Sequence, residues 1–185
     1  MNENSKALIK KDKREIYFII IVVLIILIDQ IFKILICNKG NEINLISGIL
    51  KFKITENRNG VYGIGSDSTI MYIMTNLIVL GVVFKFIRTQ NQFVTTKMKI
   101  FLSFILAGGI SNIIDKIFRN YVVEFVDFTE FIKIPVFNIA DIFILIGWIG
   151  IISIFTVFTS KELNSKRIKD GQIKEMKNKE DKEGK

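Results

Sequence analysis

Four long apolar runs constrain this chain more than any other feature of its sequence. They are Ile16–Cys37, Thr69–Ile87, Ile100–Phe118 and Ile139–Phe158. Each has about the length that a helix, rising about 1.5 Å per residue, needs to cross roughly 30 Å of hydrocarbon. Half of the 185 residues are hydrophobic, and the mean hydropathy of +0.39 is too high for an ordinary soluble domain. Because lipid cannot satisfy unpaired backbone groups, the runs predict four transmembrane helices.

The distribution of Lys and Arg predicts how these helices cross the membrane. Cations concentrate in the N-terminal segment 1–15, in the loop between spans two and three, and in the tail after Phe158. With four spans these regions lie on one side, so the positive-inside rule places both termini in the cytoplasm and the loops 38–68 and 119–138 outside. The net charge of +8 follows this topology, and we expect no nucleic-acid partner.

The chain divides into one membrane domain and two charged ends. Residues 1–15 form a basic cytoplasmic N-terminus, residues 16–158 the four-span domain, and residues 159–185 a charged, partly disordered cytoplasmic tail. In the outer loops, ILKFKITEN (Ile49–Asn57) and YVVEFVDF alternate apolar and polar residues as strands do. We therefore expect a membrane α-helical fold with a small β-cradle on its outer face.

The absence of histidine limits the chemistry available to this chain. It excludes His-containing triads, Cys–His dyads, HExxH zinc sites and most imidazole metal sites. No Gly-rich phosphate-binding loop occurs, and the Gly108–Gly109 pair by itself favours close helix packing. What remains for catalysis is carboxylate, hydroxyl or lysine chemistry, and we expect neither a metal nor a cofactor.

Polar side chains inside the spans need partners or a purpose, because a charge in lipid costs roughly 2.5–3.5 kcal/mol. In span one, Asp29 and Lys33 are four residues apart and share a helix face. At the end of span three, Asn112 and Asp115 share a face, and Asp115 meets Arg119 one turn later. The spacing fits either a structural network or a direct role.

Asp141 differs from these residues, because no basic residue lies within one helical turn of it. It opens span four, three residues after Asn138. Such an acid can favour a helix start, but we interpret Asp141 as functional. Two carboxylates brought together share one proton, so that the ionised acid activates water while the protonated acid polarises a carbonyl, as in aspartic proteases. The second acid should come from VVEFVDF, which contains Glu124 and Asp127.

Five motifs, in order along residues 16–158, resemble those of bacterial lipoprotein signal peptidases, also called signal peptidase II. Any one of them is weak, but five in sequence at the expected spans are specific. They are DQIFK (Asp29–Lys33), the Asn57 of NRNGVYG, GGISNIIDK (Gly108–Lys116), YVVEFVDF, and FNIAD (Phe137–Asp141). The family's four-helix fold with an outer β-cradle agrees with the fold expected above.

The resemblance implies a membrane aspartyl endopeptidase. Its substrates would be prolipoproteins carrying a diacylglyceryl-cysteine, cut on the amino side of that cysteine. The family's two catalytic acids fall on Glu124 and Asp141. The remaining site residues carried over as lining or supporting the site are Asn57, Asn112, Asp115, Asn138, Asp29 and Lys33. The chain would then be a monomer in the cytoplasmic membrane of a bacterium, in contact with membrane lipid.

The chain departs from the family pattern at several positions. Residue 124 is Glu where the family has Asp, Lys116 replaces an Arg, and Asn120 replaces a Gly. One added methylene moves the carboxyl group, and displacements near 1 Å can cost about a hundredfold in rate. Three interpretations stay open: Glu124 is a lengthened catalytic acid, Asp127 is the working partner instead, or the chain is an impaired paralogue that binds lipidated signal peptides without cleaving them. A small ion-coupled transporter is a further alternative, which four spans without a repeat disfavour.

Overall fold

Four helices dominate the computed structural model, which describes the backbone of residues 3–40, 42–58, 69–89 and 94–183. Side chains are described for residues 15–40, 42–58, 69–89 and 94–171. The helices are α1 (Glu3–Lys39), α2 (Thr69–Arg88), α3 (Thr96–Arg119) and α4 (Ile139–Glu183). Each contains a segment long and apolar enough to cross a membrane, and these segments are Glu15–Lys39, Thr69–Arg88, Thr96–Arg119 and Ile139–Gly171.

Helix α3 is the central helix of the compact unit formed by residues 1–148. Of the most apolar stretch of its span, 61% is buried, against 22% for α1 and 17% for α2. Helices α1 and α2 both pack on α3 and turn apolar side chains such as Ile20, Leu27 and Ile78 outward. This pattern suits a protein whose solvent is lipid, since exposed apolar surface has no cost there.

A three-stranded antiparallel sheet follows the C-terminal end of α1. Its strands are β1 (Ile43–Ile46), β2 (Leu50–Asn57) and β3 (Val122–Asp127), paired in the order β1-β2-β3. Gly40 at φ 65° follows the last residue of α1, and Gly48 at φ 72° lies in the turn between β1 and β2. Both need the left-handed conformation that glycine adopts without strain.

The sheet is held against the helices by an apolar cluster. Buried Phe125 and Val126 of β3 pack with Ile36 of α1, and Ile139 at the start of α4 packs against the same cluster. Because β3 continues directly from α3 through Asn120, the strand is fixed at the end of the bundle where α3 ends and α4 begins. Asn120 lies at φ 64° and donates its N–H to the Lys116 carbonyl, so a residue that tolerates the left-handed region ends α3.

Helix α4 continues as a helix to Glu183, and residues 149–185 form a second compact unit. The predicted four-helix fold with a small β-cradle is confirmed. The predicted strand Ile49–Asn57 corresponds to Leu50–Asn57. The division of the chain at residues 15 and 158, with its partly disordered tail, stays a prediction.

Close helix packing at Gly108 and Gly109 agrees with the packing role that their sequence favours. A Cβ at Gly108 would lie 2.5 Å from the Ala140 carbonyl oxygen of α4, and a Cβ at Gly109 would lie 2.7 Å from a methyl group of Leu80 on α2. The two glycines therefore let α4 and α2 approach α3 closely on two different faces.

We expect Gly108→Ala to lower stability by about 1–3 kcal/mol, because backbone of α4 must move to accommodate the methyl group. Gly81→Ala is the matched control, since a Cβ at this α2 position meets nothing within 4 Å. Thermal unfolding in detergent, followed by circular dichroism, measures both. A Gly108→Ala protein as stable as Gly81→Ala would contradict this packing.

Candidate active site

Glu124 lies in the middle of β3 and is the one half-buried residue of a strand whose other positions are buried. Its Oε1 accepts a hydrogen bond of 2.6 Å from Asn57 Nδ2 at the end of β2. Burial raises the pKa of Glu124 from 4.5 to about 7, the Asn57 hydrogen bond opposes this, and the charge of Asp141 raises it further. Glu124 is thus an acid that holds a proton to near-neutral pH and lies within electrostatic reach of Asp141.

Asp141 lies in the first turn of α4 and forms a reciprocal cap with Asn138. Asn138 Oδ1 accepts from the Asp141 N–H at 2.9 Å, and Asp141 Oδ2 accepts from the Asn138 N–H at 3.1 Å. This is the capping-box geometry, in which two otherwise unpaired donors at a helix start are satisfied. Asp141 is therefore a helix-start acid, and its other oxygen, Oδ1, accepts a further hydrogen bond of 2.9 Å from Asn112 Nδ2.

Asn138 joins the two segments that carry the acids. Its side chain is fully buried, and its Nδ2 donates to the Val123 carbonyl at 3.1 Å and to Asn112 Oδ1 at 3.1 Å. Val123 directly precedes Glu124, while Asn138 caps the helix that begins with Asp141. One amide therefore ties β3, α3 and α4 together at the point where the carboxylates approach.

A fully buried lysine lies beneath these residues. Lys33 Nζ is within 2.7 Å of both Asp29 Oδ2 and Asp115 Oδ2, and it donates to Asn112 Oδ1 at 3.1 Å. Lys33, Asp29 and Asp115 are all 0% exposed. An ammonium group has three donors, and all three are used.

The two aspartates that face Lys33 each bind an element of the site. Asp29 Oδ1 accepts the Ala140 N–H at 2.9 Å, so a side chain of α1 also caps the start of α4. Asp115 Oδ2 accepts the Val123 N–H at 3.1 Å and so holds the start of β3. Asp115 is additionally paired with Arg119 one turn later on α3. Two cations therefore balance two anions in this network.

Neutral polar groups complete the network. Gln30 Nε2 donates to Asp115 Oδ1 at 3.1 Å and to Ser111 Oγ at 3.0 Å, and Ser111 Oγ donates to Asp29 Oδ2 at 2.7 Å. Across the side chains that the structure describes, no buried nitrogen or oxygen lacks a hydrogen-bond partner. Complete satisfaction of this kind makes a buried polar network rigid.

A second lysine holds the chain that leads from β2 to the site. Lys116 is 1% exposed, donates to the Arg58 carbonyl, and lies 5.0 Å from the centre of the Tyr72 ring of α2. The Arg58 guanidinium lies 5.6 Å from the centre of the Tyr121 ring. Since Arg58 follows Asn57, these contacts fix the residue that bonds Glu124.

Asp127 belongs to a turn. Its Oδ1 accepts from the Thr129 N–H at 2.7 Å, and the Thr129 hydroxyl bonds the same oxygen. Burial acts to raise the pKa of Asp127, but these hydrogen bonds and the charges of Lys51 and Lys53 outweigh it, so the pKa is lowered. A carboxylate held ionised in a turn does not suit the proton-sharing role, which favours Glu124 over Asp127.

The structure brings the predicted site residues together at one end of the bundle. Direct hydrogen bonds, or a bond to the backbone of the adjacent residue Val123, link one group of residues: Glu124, Asp141, Asn57, Asn112 and Asn138. A second group lies next to them and consists of Asp29, Lys33 and Asp115. Three further participants were not predicted as site residues: Gln30, Ser111 and Tyr72. Gln30 and Ser111 adjoin Asp29 and Asn112 in sequence, whereas nothing around Tyr72 marks it among the apolar residues of α2.

The turns predicted after Asn57 in NRNGVYGIGS lie largely at 59–68, outside the described residues. Within the described part of the chain, no group of three or more Cys, Asp or Glu residues could hold a metal ion.

The spanning helices define a multi-pass membrane protein, and the β-cradle at one end of the bundle lies beside a polar site built from carboxylate, amide and lysine side chains. The family model described as "Signal peptidase (SPase) II" matches residues 21–158. The chain belongs to the signal peptidase II family.

Individual relatives and solved structures agree with this assignment. A lipoprotein signal peptidase of Clostridium novyi is 34% identical over 70% of this chain and 90% of its own length. That of Clostridium tetani is 35% identical over 70% of this chain and 85% of its own. A bacterial membrane enzyme solved by the in meso method at 2.3 Å resolution aligns with a TM-score of 0.73 and 29% identity, covering 78% of this chain and 90% of that one.

We expect Lys33→Met to lower stability by about 3–5 kcal/mol, because it leaves Asp29 and Asp115 as buried charges without their shared cation. The double variant Asp29→Asn/Lys33→Met should recover most of this loss, since it restores charge balance and the asparagine can still accept the Ala140 N–H. Lys85→Met, at an exposed position of α2, is the control. Thermal unfolding in detergent measures all three, and a double variant no more stable than Lys33→Met would refute the charge-balance account.

Proposed function

We propose that this protein is a membrane endopeptidase of the aspartyl type that removes signal peptides from prolipoproteins. Membership of the signal peptidase II family supports the removal of signal peptides. The observation that carries the aspartyl mechanism is the Asn138 side chain, which connects the start of α4, with Asp141, to the backbone of β3 beside Glu124. The substrate class is a prolipoprotein with a diacylglyceryl-modified cysteine, cut on the amino side of that cysteine.

The chemistry assigns complementary tasks to Glu124 and Asp141. One acid, ionised, takes a proton from a water molecule as the water oxygen bonds to the scissile carbonyl carbon. The other acid donates its proton to the carbonyl oxygen, which gives a neutral tetrahedral intermediate. When the carbon–nitrogen bond breaks, the leaving nitrogen takes the proton that came from water. One hydroxyl of the intermediate returns its proton to the other acid as the new carboxyl group forms, so the acids are again one protonated and one ionised. The step needs no metal and no histidine.

The site's place in the bundle fits a substrate held partly in lipid. The acids lie where α3 ends and α4 begins, at the end of the bundle that carries the sheet. The cation distribution assigns this end to the outer face of the cytoplasmic membrane, with both termini in the cytoplasm. A lipidated signal peptide would approach through the membrane, and one chain carries both acids, which is consistent with a monomer.

We expect Asp141→Asn and Glu124→Gln each to reduce processing at least about a thousandfold, because either change removes one member of the pair. The measurement is cleavage of a purified diacylglyceryl-modified prolipoprotein in detergent. Asp127→Asn is the matched control, since asparagine can form the same turn with Thr129, and it should keep nearly full activity. Loss of activity in Asp127→Asn, with Glu124→Gln active, would transfer the role to Asp127.

Glu124→Asp separates a working glutamate from an impaired one. Aspartate is one methylene shorter and loses the 2.6 Å contact with Asn57. We expect a ten- to hundredfold loss of activity, in proportion to a displacement near 1 Å. If the wild-type protein is inactive and Glu124→Asp is active, the chain is the impaired paralogue instead.

The pH dependence of kcat/KM should report the titration of Glu124. A carboxyl group with a pKa of about 7 is mostly protonated below pH 7, so a reaction that needs its proton slows as the pH rises through that value. In Asn57→Ala the carboxylate loses a donor that stabilises its charged form, so the pKa rises and the alkaline limb moves to higher pH. Asn44→Ala, at an exposed position of β1, should leave the limb in place, and a downward shift in Asn57→Ala would contradict the hydrogen-bond assignment.

A further inference from the structure

The two acids of the proposed pair differ in the hydrogen bonds they receive. Both oxygens of Asp141 accept from nitrogen donors, Oδ1 from Asn112 Nδ2 at 2.9 Å and Oδ2 from the Asn138 N–H at 3.1 Å. An amide nitrogen can only donate, so both contacts favour an ionised Asp141. Glu124 receives a donor on Oε1, and it stands on a strand among buried apolar residues.

The orientation of the Asn112 amide determines whether its NH2 group or its oxygen faces the Asp141 carboxylate. Asn112 Oδ1 accepts from two donors, Lys33 Nζ at 3.1 Å and Asn138 Nδ2 at 3.1 Å. With the oxygen held by those donors, the NH2 group must point toward Asp141. If the amide turned over, its oxygen would face the Asp141 carboxylate, and its NH2 group would face an ammonium group and another amide donor.

Lys33 makes this orientation compulsory. The Lys33 ammonium is fully buried, and its other two donors are taken by Asp29 and Asp115. Among the described residues its third donor meets the Asn112 oxygen, and an unpaired ammonium donor away from water is costly. The positive charge also favours the ionised form of an acid beyond the amide.

We propose that Lys33 is a positioning residue that, acting through Asn112, keeps Asp141 as the carboxylate of the pair and leaves the proton on Glu124. Asp141 is then the base that accepts a proton from water, and Glu124 is the acid that donates to the scissile carbonyl oxygen. This inference rests on the proposed function and adds which acid performs which step. Lys33 itself does not touch the reacting atoms.

Other titratable groups interact with Asp141 alongside Lys33. They are Asp29 on α1, Tyr72 on α2 and Glu124 on β3. Asp29 and Asp115 are neutralised by Lys33 and Arg119, so the negative charge left to interact with Asp141 is that of Glu124. This repulsion is relieved when Glu124 holds the proton.

The test compares pH profiles of kcat/KM for two variants in which the path from Lys33 to Asp141 is broken. Asn112→Leu removes the amide, and Asp29→Asn/Lys33→Met removes the ammonium without unbalancing the charge. In both variants, the acidic limb of the kcat/KM profile should move to higher pH by about one unit or more. At the pH that is the midpoint of the acidic limb in the wild-type protein, kcat/KM should fall at least about tenfold. Ser103→Ala is the control, because it removes a hydroxyl of a buried α3 residue that donates to the Lys99 carbonyl and leaves the path intact, so it should lower thermal stability without moving either limb. Folded variants with unmoved limbs would overturn the proposal.

Infrared spectroscopy of the wild-type protein tests the protonation states of Glu124 and Asp141 independently of peptidase activity. Difference spectra against Asp141→Asn and Glu124→Gln, recorded about one unit below the Glu124 pKa of about 7, should assign a carboxylate band to Asp141 and a protonated carboxyl band to Glu124. The opposite assignment overturns the inference even in an active enzyme. If the bands are assigned as proposed but the lipidated substrate is not cut, the peptidase function fails while the proton assignment stands.

Discussion

One buried ammonium group holds this structure together. A charge in the interior of a membrane protein is tolerated only with partners, and Lys33 has one for each of its donors. Those partners are themselves bonded to other elements: Asp29 to the start of α4, Asp115 to the start of β3, and Asn112 to Asp141. Helix α1 therefore determines where α4 begins and where β3 leaves α3. An apolar replacement of similar volume would fill the space but could not impose these three connections.

The candidate site arises where regular elements end. Helix α4 begins with unpaired N–H groups, and the capping box of Asn138 and Asp141, with Asp29, satisfies them. A carboxylate needed for helix capping is thus held in a fixed orientation at the boundary of the span. Glu124 belongs to a strand and accepts a hydrogen bond from Asn57, and burial raises its pKa. The two acids are therefore held by different secondary structures and by different donors.

Periodicity predicted the parts of this structure that depend on local sequence. The apolar runs gave the spans, the alternation in ILKFKITEN and YVVEFVDF gave two strands, and the spacing of Asp29 and Lys33 gave their ion pair. Contacts between distant elements could not be predicted in this way, because periodicity shows which face of a helix is buried but not which element packs against that face. The cap that Asp29 places on Ala140 spans 111 residues, and Tyr72 contacts Lys116 from a predominantly apolar helix. The meeting of Glu124 and Asp141 was expected only from general acid chemistry and from a family resemblance.

The glutamate at position 124 is held in place by a residue of the neighbouring strand. Here Asn57, at the paired end of β2, donates to Oε1 at 2.6 Å and fixes the end of the side chain. Asn57 is in turn followed by Arg58, whose carbonyl accepts from buried Lys116. Lys116 and Glu124 therefore lie on one chain of contacts. A lysine, with a single compact charge, can bond one carbonyl and lie against the Tyr72 ring, and this contact secures the strand end from which Glu124 is held in place.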